Sequence, residues 1–314
     1  MDGIYTIGGI VLDTLVRPLD ELPPWGTAHN VESISSHLGG NGAATAYAAA
    51  TLGVPTRLAG QLGHDSAGDW VIDRLRSSGV DVERVVRRAE ASTAQTIAVA
   101  RSDGERILIQ DIGASALWSI ADVDMSRAAT DGSRFFHYGS PFNLTGLRAD
   151  AAEVLRLAKK AGLETSLDVD WDPRGEWIRA FEPLCPYLDY LFLNQLEAEK
   201  LSGSRSPGDV FAFFSERGVG TVVLKQGEQG CKISHEGGRL HAPGFDVEVV
   251  DTTGAGDCFC GGFLAGLCRG LDLAEAARLA NAAAAHCIER AGNSEGVPDY
   301  DTLRSWCVTQ SSSR

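Results

Sequence analysis

The chain has 314 residues, 44% of them hydrophobic and 22% charged, which is ordinary globular composition and long enough for one large α/β unit. Its 28 Lys and Arg against 42 Asp and Glu leave a net charge of −14. That balance opposes non-specific binding to nucleic acid or to an anionic membrane, so an anionic ligand must be held by local amides, a metal ion or a few placed cations.

Residues 4–12 read as a buried strand ending near Asp13, on the side of a sheet where ligands usually sit. A polar stretch from His29 to His37 follows Pro23-Pro24 and alternates partially, as strands with one exposed face do. Leu38-Gly39-Gly40-Asn41-Gly42 opens an Ala-rich helix from Ala43 to Leu52, closed by Gly53 with Pro55 beyond it. Thr56 to Leu62 predicts a strand and Ser66 to Ser78 a helix, and this alternation argues for right-handed βαβ units and a mostly parallel sheet. Residues 93–112 break the rhythm with a hairpin signal, Ser102-Asp103-Gly104-Glu105, between Ala94–Ala100 and Ile107–Ile112. With residues 14–37 they predict a small β layer standing off the main sheet.

The alternation resumes with strands at 134–138, 164–169, 190–193 and 221–224. Helices are expected at 148–161, 176–184, 195–201 and 207–217, with a hairpin over 231–242. Helices at 273–290 and 299–307 end the chain, and Thr309 to Arg314 reads as a frayed polar tail. The Ala-rich segment 276–288 is interrupted by Arg278, Asn281 and His286, so it reads as a packed helix and not a membrane span. Seven cysteines form no Cys-x-x-Cys pair, and the chain opens with no basic or long apolar leader. Both observations point to buried free thiols and a cytoplasmic location.

The most informative stretch is Asp251-Thr252-Thr253-Gly254-Ala255-Gly256-Asp257. Phe245, Val247, Val249 and Val250 before it suggest the end of a strand, and Phe259, Phe263, Leu264 and Leu267 after it recur at helical spacing. Gly254 and Gly256 allow a tight turn, and the amides of Ala255, Gly256 and Asp257 would point outward at the positive end of a helix. Such a turn binds an anion, and Asp257 places a base beside it; transfer of a phosphoryl group to a hydroxyl needs both. As a helix-start charge alone, Asp257 would be worth only ~0.3–1 kcal/mol. Asn194 and Glu197, three apart at a helix start, have the form of a capping box. Lys225 at a strand end can meet a phosphate or simply be solvated.

Several segments together resemble the ribokinase-like (PfkB-type) carbohydrate kinases. Gly39-Gly40 with its Ala-rich helix, on through Gly60-Gln61-Leu62-Gly63-His64-Asp65-Ser66-Ala67-Gly68, is similar to the N-terminal signature of that family. Asp251 to Asp257 is similar to the C-terminal one. Asn194-Gln195-Leu196-Glu197, Gly227-Glu228-Gln229-Gly230, Ala280-Asn281-Ala282 and Gly296-Val297-Pro298 follow the family order in between and after.

The resemblance implies a ribokinase-like three-layer α/β/α sandwich over residues 1–308, with a β lid from about 14–37 and 93–112 and a tail at 309–314. It implies an ATP-dependent, Mg²⁺-requiring sugar kinase that phosphorylates an alcohol group, a primary one by expectation. Asp257 would be general base, and Gly254, Ala255 and Gly256 the anion hole. Asp13, Gly39, Gly40 and Asn41 would hold the sugar, while Asn194, Lys225, Gly227, Gly230 and Asn281 hold the nucleotide. Glu197 would position hydrated Mg²⁺. Asp251 and Thr253, with residues 287–296, would offer carbonyls to a monovalent cation, K⁺ in some relatives. Pairing of two lids would give a homodimer.

One departure stands out: Ala44 replaces the Asn that touches substrate in most of the family, a form resembling the branch that contains sulfofructose kinase. Ala44 cannot hydrogen-bond a hydroxyl, which weakens pentose and ordinary ketohexose assignments. Arg101, Arg106 and Arg134 are candidates to meet an anionic substituent, against the simpler reading of each as a surface charge. Two alternatives remain: a kinase of a nucleoside or another hydroxylated metabolite, and a sugar-binding regulatory protein without catalysis. A dinucleotide-dependent dehydrogenase fits less well, because Gly8-Gly9 lacks the Gly-x-Gly-x-x-Gly fingerprint.

Overall fold

In a computed structural model of the chain, which describes residues 2–103, 105–125, 128, 131–290 and 292–311, the apolar run expected as one strand over 4–12 divides in two. Strand β1 (Gly3–Ile7) is fully buried in a nine-stranded sheet, whereas β2 (Val11–Arg17) belongs to a separate four-stranded sheet. Gly8 lies in the break, where its backbone touches that of Gly42; a Cβ on either would stand 2.6 Å from the other's Cα. Asp13 is therefore the third residue of β2 and does not follow the first strand of the main sheet, as the unbroken reading had it.

The chain continues through β3 (Ser33–Gly39), α1 (Asn41–Thr51), β4 (Thr56–Gly63), α2 (Ser66–Ser77) and β5 (Asp81–Arg88). Next come β6 (Ala94–Ala100), β7 (Arg106–Asp111), β8 (Ser133–Gly139), α3 (Ala151–Lys160) and β9 (Glu164–Asp168). They are followed by α4 (Ile178–Phe181), β10 (Tyr190–Asn194), α5 (Gln195–Ser202), α6 (Pro207–Ser215) and β11 (Thr221–Lys225). The chain closes with β12 (Cys231–His235), β13 (Gly238–Ala242), α7 (Ala255–Cys268), α8 (Leu273–Ile288) and α9 (Tyr300–Ser311).

The large sheet has the order β13-β12-β11-β10-β9-β8-β1-β4-β5. All its pairings from β11 to β5 are parallel, and β12 and β13 add an antiparallel edge. Alternation along the strands divides the core between the two faces. Tyr5 and Phe136 pack with Val154 and Leu155 of α3 and Phe211 and Phe214 of α6. Ile4, Phe135 and Phe192 pack instead with Phe259 and Phe263 of α7 and with Ala276 and Ala280 of α8. This is the expected α/β/α sandwich.

The small sheet, β3-β2-β6-β7, comes from the two regions expected, although it starts at Val11. Its register sets two apolar-rich rows facing outward, Ile34–Val16–Val99–Ile107 and Thr14–Ile97–Ile109. The inner rows carry Asp13–Thr96–Gln110 and Leu15–Ala98–Leu108. Gly104 of the expected hairpin turn lies outside the described residues.

Two further differences concern local signals. Residues 243–250 form no ladder, so the turn at 251–257 is not preceded by a strand; β13 ends at Ala242, Phe245 packs at a tilt 4.6 Å from Trp306 of α9, and Val249 and Val250 are exposed. Strand β5, with sequence DVERVVRR, was hidden by its charges and sits at the sheet edge beside β4. The last helix runs to Ser311, past the expected start of the tail, and residues 312–314 lie outside the described ones. All seven cysteines are free and buried. Among the described residues no helix is long and apolar enough to cross a membrane.

Candidate active site

Parallel strands deliver their carboxyl ends to one edge of the sheet. There β1 releases Gly8-Gly9, β8 ends at Gly139 before Ser140, and β9 leads to Asp170 through Asp168. Asn194 ends β10 and Lys225 ends β11. Since β4 lies on one side of β1 and β8 on the other, the strand order reverses at this edge, which opens a crevice. The small sheet stands over it, and the N-terminus of α7 enters from the side.

Gly254 caps α7 with φ of 75°, a left-handed conformation that glycine adopts without a Cβ clash. No side chain among the described residues caps this helix, and Ala255 N makes only a long 3.4 Å bond to Thr252 O. The first-turn amides of Gly256 and Asp257 are left without helical partners at the positive end of the helix dipole. Burial above all, and then the nearby Asp168 carboxylate, push the Asp257 carboxyl up to about 8; the Lys225 ammonium and a hydrogen bond from Asn41 oppose the shift.

The turn separates two cavities. Thr253, Gly254 and Asp257 line a smaller one of about 230 Å³. Thr252, Ala255 and Gly256 line a larger one of about 690 Å³. Asp13, Gly40 and Asn41 join Asp257 in the smaller cavity, under Thr96, Leu108 and Gln110 from the small sheet. Gly39 does not line it. It is buried against Asp13, whose carboxyl occupies the place a Cβ at Gly39 would take. Ala44 is fully buried in α1 and does not line the smaller cavity either; Asn41 is the α1 side chain present there.

Asn194, Lys225, Gly227, Gly230 and Asn281 all line the larger cavity. Lys225 is not a solvated strand-end charge: its ammonium lies 2.7 and 2.9 Å from the two oxygens of Asp168. Burial disfavours that charge, but the Asp168 carboxylate outweighs it and holds the ammonium above its usual range. Gly256 sits beside the pair, with Lys225 Nζ 3.1 Å from where its Cβ would be. Asn281 donates to Ala242 O at 3.0 Å and Pro243 O at 3.1 Å, so its amide fixes the chain leaving β13. Gly230 packs against the same Ala242 carbonyl.

Asn194 and Glu197 form the capping box at the start of α5. Asn194 Oδ1 accepts from Glu197 N at 2.9 Å, while the Glu197 oxygens accept from Asn194 N at 2.8 Å and Asn194 Nδ2 at 2.7 Å. Burial first of all raises the Glu197 carboxyl to about 7. Asp251 accepts from Thr253 N at 2.9 Å and Thr253 Oγ1 at 2.7 Å, and Arg106 of β7 reaches both residues, standing 3.2 Å from Asp251 Oδ1. Burial opposes the Asp251 charge, but these hydrogen bonds hold its carboxyl below the usual range. Arg106 is thus a latch between the small sheet and the turn. Arg134 instead pairs with Glu164 at 2.7 Å, and Arg101 with Asp103 at 3.0 Å.

The structure also brings in residues that no local pattern marked. Ser140 and Asp170 have φ of 61° and 60°, uncommon for residues other than glycine and concentrated at functional sites. Asp170 Oδ2 accepts from Ser140 Oγ and, at 2.8 Å, from Asn143 Nδ2. All three line the smaller cavity.

Comparison with known proteins gives the family and the fold. Residues 5–299 match the pfkB family carbohydrate kinases. The 2-dehydro-3-deoxygluconokinase of Bacillus subtilis is 26% identical over 295 residues, covering 91% of each chain. The ribokinase of Staphylococcus aureus is 26% identical over 304 residues, covering 94% of this chain and 96% of its own. Among solved structures, Arabidopsis thaliana ribokinase complexed with ribose and ATP superposes with a TM-score of 0.85 at 24% identity, over 98% of this chain and 99% of its own. Thermotoga maritima ribokinase gives 0.81 at 25% identity, also over 98% and 99%.

Proposed function

The chain belongs to the pfkB family of carbohydrate kinases, and on that premise we propose that it transfers the γ-phosphate of ATP to a primary hydroxyl of a monosaccharide or sugar derivative bound in the smaller cavity. The observation that carries this reading is the turn at 254–257, which divides the two cavities and presents Asp257 to the smaller one. ATP occupies the larger cavity, as its larger volume and its loop glycines allow. The acceptor lies between Asp257 and the small sheet.

An alcohol is too weak an acid to ionise beforehand, so Asp257 takes its proton late, as the bond to phosphorus forms. The amides of the turn meet the charge that develops on the transferred group, where losing one such donor typically raises a barrier by ~3–4 kcal/mol. Lys225 reaches the phosphates while remaining paired with Asp168. Closure of the small sheet, latched by Arg106, keeps water from the phosphoryl group.

Each Glu197 oxygen accepts one hydrogen bond from Asn194, which fixes the carboxylate and leaves a lone pair on each for a water of a hydrated ion. A hydrated ion carried in on the nucleotide phosphates does fit, with the Asn194–Glu197 pair ordering its water shell. Bound Mg²⁺ supplies neutralisation of the phosphate charge. The Asp251 side chain is likewise taken up by Thr253 and Arg106, so a K⁺ ion at this loop would rest on main-chain carbonyls. The outward rows of the small sheet expose Ile34, Ile97, Ile107 and Ile109, and we assign their cover to the same sheet of a second copy.

An ADP-release screen over sugars, sugar acids, sulfosugars and nucleosides, followed by Asp257→Asn with the best acceptor, tests the reading. Turnover that survives the substitution would remove Asp257 from the mechanism. Sugar binding without any ATP turnover would favour a regulatory protein.

A further inference from the structure

One oxygen of Asp251 gathers several donors. Thr253 N stands 2.9 Å, Thr253 Oγ1 2.7 Å and Arg106 Nη1 3.2 Å from its Oδ1, and Arg106 Nη1 also donates to Thr253 Oγ1. The main chain of the same loop is tied directly to the end of α8. Val250 N and Asp251 N donate to Ile288 O at 2.8 and 3.2 Å, and Cys287 Sγ donates to Thr253 O at 3.5 Å. Residues 251 and 253 and the segment from 287 onward are those that a monovalent cation was expected to share.

An ion there would have two tasks. It would offset the Asp251 charge beside the anion-binding turn, and it would pin 251–253 against the segment after α8. Groups of the chain do both: the guanidinium offsets the carboxylate, and the hydrogen bonds to Ile288 O and Thr253 O join the two segments. A K⁺ ion leaves its hydration shell only for oxygens free to replace it. Here the main-chain carbonyls of Ile288 and Thr253 are engaged along with Asp251 Oδ1, and a second cation beside the guanidinium would be repelled. The expected ion does not fit this loop while Arg106 is in place. The guanidinium also differs from an ion in riding on β7. Its charge reaches the turn only when the small sheet stands over the site, so closure and charge compensation are one event.

We propose that the Arg106 guanidinium stands in for a monovalent cation at the 251–253 loop, so that the chain phosphorylates its acceptor without activation by K⁺. Arg106 is then a positioning residue that acts on the turn through Asp251 and Thr253. The proposal rests on the kinase reading of the site.

The test compares K⁺ with tetramethylammonium at one ionic strength of about 0.1 M, for the wild type, Arg106→Ala and Arg106→Lys. ADP release is measured with the best acceptor of the screen, and thermal unfolding with Mg²⁺ and a non-hydrolysable ATP analogue. Wild-type kcat and melting temperature should be the same in both salts. In tetramethylammonium, Arg106→Ala should lose about 10-fold in kcat, within the usual range of coupling between two sites. K⁺, or guanidinium well below denaturing concentration, should recover most of that loss and raise the melting temperature of this variant alone. Arg106→Lys, which keeps the charge, should remain indifferent to K⁺. A mere latch would change the acceptor KM of Arg106→Ala and leave its response to cations flat. Wild-type activation or thermal stabilisation by K⁺ overturns the proposal, as does an Arg106→Ala enzyme equally slow with and without the cations. Absence of ADP release from every acceptor in both salts removes the kinase reading instead, and the melting temperatures still decide the question of the cation.

Discussion

Asp257 keeps its proton to a higher pH than an ordinary carboxyl because burial and Asp168 both penalise its charge. On the proposed mechanism the base must be ionised. kcat/KM for the acceptor should therefore rise with pH along a limb near pH 8, and Asp257→Asn should lose that limb together with about 10²–10⁴-fold in rate. The same shift has a consequence for stability. The folded value of about 8 lies above an unfolded value near 3.8, so the folded protein holds a proton that the unfolded chain releases between them. The resulting stabilisation is complete below the unfolded value and disappears as pH rises through the folded one. Asp257→Asn, which mimics the protonated form, should melt above the wild type at pH 9, with the gap narrowing toward pH 5; a gap that widens on acidification would contradict this. Lys225 behaves differently, because its removal strands the buried Asp168 carboxylate. Lys225→Met should lower unfolding free energy in denaturant titration by about 3–5 kcal/mol. At this scale the sequence revealed Asp257, Asn194 and Glu197, which belong to short patterns with local physical meaning. Asp168 at the end of β9, and Ser140, Asn143 and Asp170 in the loops after β8 and β9, belong to no short pattern that points to this site. Only the parallel pairing of β8, β9 and β10 brings them to one edge.

At the scale of elements, β7 is exposed along its whole length, yet it carries Arg106, which bonds Asp251 and Thr253 of the turn. Arg106→Ala should release the small sheet from the turn. Steady-state kinetics should then show KM for the acceptor raised about 10-fold and a larger share of ATP lost to water, as expected when a lid no longer completes a closed site. An unchanged acceptor KM would mean that the sheet stays in place without the latch. Periodicity made most elements legible, since apolar spacing distinguishes helix from strand when one face is buried. It failed where backbone geometry decides. The contact between Gly8 and Gly42 ends β1 inside an unbroken apolar run, and residues 243–250 are β-prone but find no neighbouring strand. β5 was obscured because an edge strand tolerates charges that a central one does not.

For the molecule as a whole, the outward rows of the small sheet form an apolar surface on an otherwise acidic protein. Ile97 and Ile109 are register partners at 43% and 58% exposure, and a contiguous surface of this kind ordinarily finds a partner. On the dimer reading, Ile97→Lys with Ile109→Lys should convert a sedimenting dimer into a monomer. A wild type that is monomeric at every concentration would refute the pairing.

The wall between the cavities also bears on the order and handedness of the chemistry. If hydroxyl and phosphoryl donor approach from opposite sides of one helical turn, both must be present before anything reacts. Initial-rate lines at varied ATP and acceptor should intersect instead of running parallel. The phosphorus would pass through a single in-line displacement, so an isotopically chiral phosphoryl group should leave ATP with its configuration inverted. Retention would require an intermediate stop on the protein.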